Sequence, residues 1–189
     1  ALPILLDVSQ GRSRKDKGII PPIQTAKRAE GKMRHLRLVA LEKARIPEAY
    51  PLIQAVKGDL TLAAWKREAE SFVQAQAAGS GCGIMTLQDG NGLILGLFYH
   101  DVTENGTHGP VLNVSHFVAM DLISPQKIIA ELAEGMEVMA ERLCCRAVHT
   151  EITTDMRSSP HPVLEGLQDL GHRLERVHLC KPLPVTPGT

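Results

Sequence analysis

The stretch "GPVLNVSHFVAMDLI", residues 109–123, most constrains the fold. It reads as one long strand whose two faces are both largely apolar. Such a strand must lie inside a sheet that is covered on both sides. The residues after it supply one of the covers. Ser124 is placed to cap a helix, and Pro125 fits its first position, where a missing N–H has no partner to lose. Ile128, Leu132, Met136, Met139 and Leu143 then form a single apolar stripe, with Glu131, Glu134, Glu137 and Glu141 on the other side. "RAVHTEIT", residues 146–153, is the next strand, so the unit is β-α-β with two parallel strands and a right-handed crossover.

Upstream, "CGIMTLQDGNGLILGLFYHDV" holds two apolar runs joined by Asp89-Gly90-Asn91-Gly92, a strong hairpin signal because these residues accept positive φ. "LRLVAL", residues 36–41, is an earlier strand. Two helices lie between it and the hairpin. The first is Ile46–Val56, with Pro47 in its first turn; the second is capped by Thr61 and carries Leu62, Trp65, Ala69, Phe72, Val73 and Gln76 on one stripe up to Gly79. Downstream, "SSPHPVLEGLQDLGH" is a short helix stopped by Gly171, and "RLERVHLCKPL" a last strand. The expected order is β-α-α-β-β-β-α-β-α-β. That makes the class α/β, bordering on α+β, with a mixed central sheet flanked by helices.

Residues 1–33 mix glycine, a Pro-Pro pair and charge without apolar periodicity, and read as a basic, flexible extension. Residues 34–183 form the domain and 184–189 a tail. The zero net charge conceals an imbalance, since residues 1–37 carry a formal +6 and the remainder −6. The basic arm could reach for an anionic partner. With only 3% aromatic residues, however, a base-stacking surface is not expected, and neither is a nucleic-acid partner. No apolar run is long enough for a membrane span. The opening "ALPILLDVS" lacks a basic leader and does not read as a secretion signal. The four cysteines form no C-x-x-C pair, so they read as reduced thiols in a cytoplasmic protein with no metal expected.

The order of elements, together with the helix end "VLEGLQDLGH" at residues 163–172, is similar to that of the GNAT-family acyltransferases. The resemblance implies a protein that moves an acyl group, acetyl first, from coenzyme A to an amine carried by a small molecule or a protein. It implies acetyl-CoA or another acyl-CoA as co-substrate and is compatible with a homodimer. It places the coenzyme's pyrophosphate at the start of the crossover helix, on Leu122, Ser124, Gln126, Lys127 and Ile128, where backbone N–H groups and the helix dipole favour anions.

This chain departs from the family at two points. Lys127 and Ile129 stand at the usual glycine positions, and two isoleucines would crowd a pyrophosphate. Leu167 stands where many members carry a proton-donating tyrosine. For a base, the polar residues of the long strand are the candidates. His116 would share a face with Val114, Val118 and Met120, and Asp121 is the nearest carboxylate. His100 is a comparable histidine. A GNAT-like domain without catalysis, binding through its sheet edge or its basic arm, is the alternative that these departures favour.

Overall fold

The structure, a computed structural model, describes residues 35–120, 124–152 and 161–175, together with the backbone of Ile23–Gln24. The described elements are β1 (Ile23–Gln24), β2 (Arg37–Ala40), α1 (Ile46–Val56), α2 (Leu62–Ala77), β3 (Gly83–Gln88), β4 (Ile94–Asn105), β5 (Gly109–Ala119), α3 (Pro125–Arg142), β6 (Ala147–Thr150) and α4 (Pro162–Asp169). The final strand expected over "RLERVHLCKPL" lies almost wholly outside the described residues. Two features are additional to the sequence expectations. A 3-10 turn, Lys43–Arg45, leads into α1, and β1 pairs with β2 from within the segment expected to be an extension.

The sheet has six strands in the order β1-β2-β3-β4-β5-β6. Every neighbour is antiparallel except β5 and β6, the parallel pair that the crossover helix α3 requires. As the apolar content of both β5 faces demands, each side of the sheet is covered. On one side, Leu38, Met85, Leu87, Phe98, Leu112, Val114 and Phe117 meet Ile128, Ile129, Leu132 and Met136 of α3, with Leu167 of α4. On the other, Ile84, Leu97, Tyr99 and Val118 meet Ile46, Ala49 and Ile53 of α1, and Trp65 and Ala69 of α2.

Local chemistry sets the ends of these elements. Thr61 Oγ1 accepts from the Ala64 amide at 3.2 Å and caps α2 as expected. Leu62, expected on the buried stripe, is instead 39% exposed at the first position of the helix. Asp89 Oδ1 accepts from the Asn91 and Leu93 amides, both at 2.9 Å, and fastens the β3–β4 turn. Gly135 costs α3 about 1 kcal/mol in helix propensity. A Cβ there would come within 2.5 Å of Leu38 Cδ2, so its absence lets α3 lie close over β2.

Ser124 does not cap α3 through its side chain. Its backbone, at φ −148° and ψ 64°, holds the first turn through its own carbonyl, which accepts from the Lys127 amide at 3.1 Å. No helix among the described residues is long and apolar enough to cross a membrane.

Candidate functional site

β5 and β6 are neighbours for only part of their length. Val111–Val114 pair with Ala147–Thr150, and the Glu151 amide makes the last bond, to the Val114 carbonyl at 2.8 Å. β5 runs on to Ala119, still paired with β4 on its other side. From residue 115 onward, its β6-facing backbone edge has no strand beside it among the described residues. The start of α3 lies past that same end of β5. The result is a wedge at the carboxyl end of a central strand, beside a helix N-terminus, the part of an open sheet where ligands bind.

A bulge sits at this wedge. Tyr99 pairs with Ser115 and Leu97 with Val118, so His116 and Phe117 together face Phe98. His116 adopts φ +51°, a left-handed conformation that is strained for a non-glycine residue. The extra residue resets the alternation. Val114 and Phe117 face α3, while Val118 faces α1 and α2. His116 therefore does not share a face with Val114, as regular alternation would have it. Its ring lies on the α1/α2 side, 4.6 Å from the ring of Tyr99.

Tyr99 is buried among Trp65 and Phe72, with ring centroids at 6.2 and 4.8 Å. Burial, and then the nearby Glu68 carboxylate, push its phenol far above the usual range, although Glu68 falls outside good hydrogen-bond geometry. Glu68 itself pairs with Lys57 at 3.3 Å. Burial lowers the pKa of His116, with help from the Lys57 charge and against Glu68 and Glu151. Its Nδ1 is 3.2 Å from Ser115 Oγ. Lys57 belongs to the α1–α2 turn, whose residues Val56, Lys57, Gly58, Asp59 and Leu60 line a surface recess. Tyr50 Oη braces that turn by donating to the Leu60 carbonyl at 2.8 Å.

Of the expected site residues, His116 is thus at the wedge. Asp121 and Leu122 lie outside the described residues. Gln126 and Lys127 are exposed on the first turn of α3, and Ser124 is half-buried before it. Ile128 and Ile129 are each 1% exposed, with their side chains turned into the core. They do not crowd the surface, and Ile128 can offer a ligand only its backbone. Leu167 is core packing, 2% exposed. Tyr99, Glu68, Lys57 and Ser115 join the site without any sequence motif to mark them.

His100 lies on the opposite face, beside Phe98 and away from His116. It is 2% exposed, and neither ring nitrogen has a hydrogen-bond partner in good geometry among the described residues. Burial lowers its pKa from 6.5 to about 4. The unfolded chain therefore binds a proton that the folded chain refuses between those values. Stability should fall as the pH drops from 6.5 to 4, by up to roughly 3 kcal/mol from this residue. Urea titrations of the wild type and His100→Gln at pH 7 and pH 4.5 check this, the variant losing less on acidification.

No family model matches the sequence, and no curated protein matches it significantly. The fold does match solved structures. An aminoglycoside N-acetyltransferase solved with CoA superposes at a TM-score of 0.64 with 13% identity, over 82% of this chain and 99% of that one. Glucosamine-6-phosphate N-acetyltransferase of Arabidopsis thaliana gives 0.58 and 12%, over 79% and 99%. A transcriptional regulator of Bacillus halodurans gives 0.63 and 14%, over 79% and 100%. At these identities the likeness is one of fold, and the fold is that of the GNAT acyltransferases.

Proposed function

We propose that the domain transfers an acyl group, acetyl first, from coenzyme A to an amine of a small molecule or protein. The observation that carries this reading is the β5 edge from residue 115, which has no strand beside it among the described residues, with the start of α3 past its end and His116 bulged out at the same point. An open strand edge suits an extended chain containing amides, because it pairs with them as a further strand would. The pantetheine arm of an acyl-CoA is such a chain. A bulge leaves its extra residue out of the ladder, and an amide released in this way would polarise the thioester carbonyl.

His116 is the base. With Nδ1 occupied by Ser115, Nε2 takes the proton from the ammonium of the acceptor. The freed nitrogen attacks the thioester carbon, the C–S bond breaks, and the nitrogen gives its second proton to solvent as the amide forms. Leu167 cannot donate a proton, so the leaving thiolate is protonated from solvent. Lys57 and Glu68 set the charge at the acceptor side.

The pyrophosphate end fits less well. Pro125 has no N–H, and the Lys127 amide already bonds the Ser124 carbonyl. Among the described residues of α3's first turn, the Gln126 amide and the Lys127 ammonium can still meet an anion. This favours the second reading, a GNAT-fold binding module without catalysis.

Calorimetric titration with acetyl-CoA and longer acyl-CoAs separates the two. Binding at submillimolar concentration is expected, and its absence would leave the module reading. Lys127→Glu should weaken binding about five- to tenfold at low salt and less at high salt. Unchanged affinity would mean that the phosphates are held elsewhere.

A further inference from the structure

The β4–β5 turn, strand β6 and the segment after α4 meet at a cluster of three side chains that plays no part in the wedge. His108 Nε2 lies 2.8 Å from Glu175 Oε1, and His149 Nε2 lies 3.4 Å from Glu175 Oε2. The two imidazole rings stand edge to face at 5.5 Å. One ligand atom from each residue lies within 4.8 Å of the other two. We propose that His108, His149 and Glu175 bind a divalent transition-metal ion, zinc foremost, which ties the segment after α4 to the β4–β5 turn and to β6.

The ligand set is the first reason. Two imidazoles and a carboxylate are a recurrent three-ligand set for zinc, with the fourth position left to water. A tetrahedral zinc with bonds of about 2.0–2.1 Å needs its ligand atoms about 3.3 Å apart. The two measured N–O separations fall on either side of that value. The third separation, between the two imidazole nitrogens and at most 4.8 Å, is closed by small rotations of side chains that are all partly exposed.

The second reason is an unpaired atom. His149 Nε2 is buried and has no hydrogen-bond partner among the described residues, its approach to Glu175 being poorly aligned. A hydrogen bond between His108 and Glu175 explains one side of the cluster and leaves His149 orphaned, at a cost in buried polarity. An ion at the centre uses all three groups at once.

The position says what the ion does. His108 leads into β5 eight residues before His116, and at about 3.4 Å per strand residue the two are roughly 25 Å apart. An ion there is too far away to act on an acyl group at the wedge. It acts as a staple on the fold, and the proposal stands whether or not the domain is an acyltransferase.

The test uses the full chain after chelation and dialysis. Zinc titrated by calorimetry should bind one-to-one with a Kd of about 10 µM or tighter, and saturating zinc should raise the Tm by several degrees. Cobalt should give the intense visible bands of a four-coordinate ion. His149→Ala and Glu175→Ala should weaken binding at least about tenfold, and His172→Ala, outside the cluster, should not. His108→Gln, on a turn, keeps the test decisive if either of the others fails to fold. Zinc binding no tighter than about 1 mM, or tight binding indifferent to all three cluster variants, overturns the site.

Discussion

His116→Ala should lower kcat/KM for transfer from acetyl-CoA to its amine acceptor by about 10²- to 10³-fold, while acyl-CoA affinity stays within about twofold. A positioned base contributes on that scale, and the alanine keeps the bulge, since it can occupy the same backbone conformation at similar strain. The pH profile carries the sign. In the proposed mechanism the neutral imidazole is the active form, and burial and then Lys57 hold its pKa below 6.5. The rate should therefore be full at pH 7 and fall only as the pH drops through a value under 6.5. Lys57→Gln removes a cation that lowers the pKa, so its acid limb should move up. His116→Gly serves as the structural control. Glycine relieves the strain at φ +51° by about 1 kcal/mol and forfeits the ring contact with Tyr99. Its Tm should stay near the wild-type value while its activity matches that of the alanine variant. Undiminished turnover in both variants would remove His116 from the chemistry.

Trp65→Ala should cost about 3–5 kcal/mol, the largest stability effect expected from one side chain here. Trp65 is fully buried between α1 and the sheet, and its Nε1 donates to the Ile46 carbonyl at 2.7 Å. Its removal opens a large cavity and also deletes the indole hydrogen bond to a carbonyl in the first turn of α1. For a domain of this size the Tm should fall by roughly 10 °C or more. Trp65→Phe separates the two contributions. It keeps most of the volume and loses the hydrogen bond, so a loss of about 1–2 kcal/mol is expected in urea unfolding. Because Tyr99 packs against Trp65, the alanine variant should also loosen the floor beneath His116.

The parts of the fold that were legible in the sequence are those whose cause is local. The crossover helix is announced by Pro125 and a stripe spaced at 3.6 residues, and the first hairpin by Asp89-Gly90-Asn91-Gly92. Thr61 has a capping hydroxyl ahead of a helical pattern. Nothing local marks β1, a two-residue strand that shows itself in the pairing with Leu38 and Arg37. Nothing local marks the bulge either. Histidine is not a residue that announces positive φ, so alternation along β5 runs correctly to Ser115 and fails one residue later.

His116 lies where the long strand meets the wedge, but its face is set by the inserted residue. Ile128 and Ile129 look obstructive as letters, yet the helix phase turns them inward. Glu68 and Lys57 come from another helix and another turn, and no spacing along the chain connects them with His116. The same holds for His108, His149 and Glu175, which are brought together only by the β5–β6 pairing and by the path of the chain beyond α4.

The strand order of the sheet has a kinetic consequence. Each described strand pairs with the one before it in the chain, so none has to wait for a distant segment in order to find its place. Among the described strands, three closures span more than a turn: β1 to β2 over residues 25–36, β2 to β3 across α1 and α2, and β5 to β6 across α3. Short closures lose little chain entropy and favour rapid assembly. On a ribosome the sheet can therefore grow strand by strand as the chain emerges. The wedge beside β5, which needs both α3 and β6, is then among the last features to take shape.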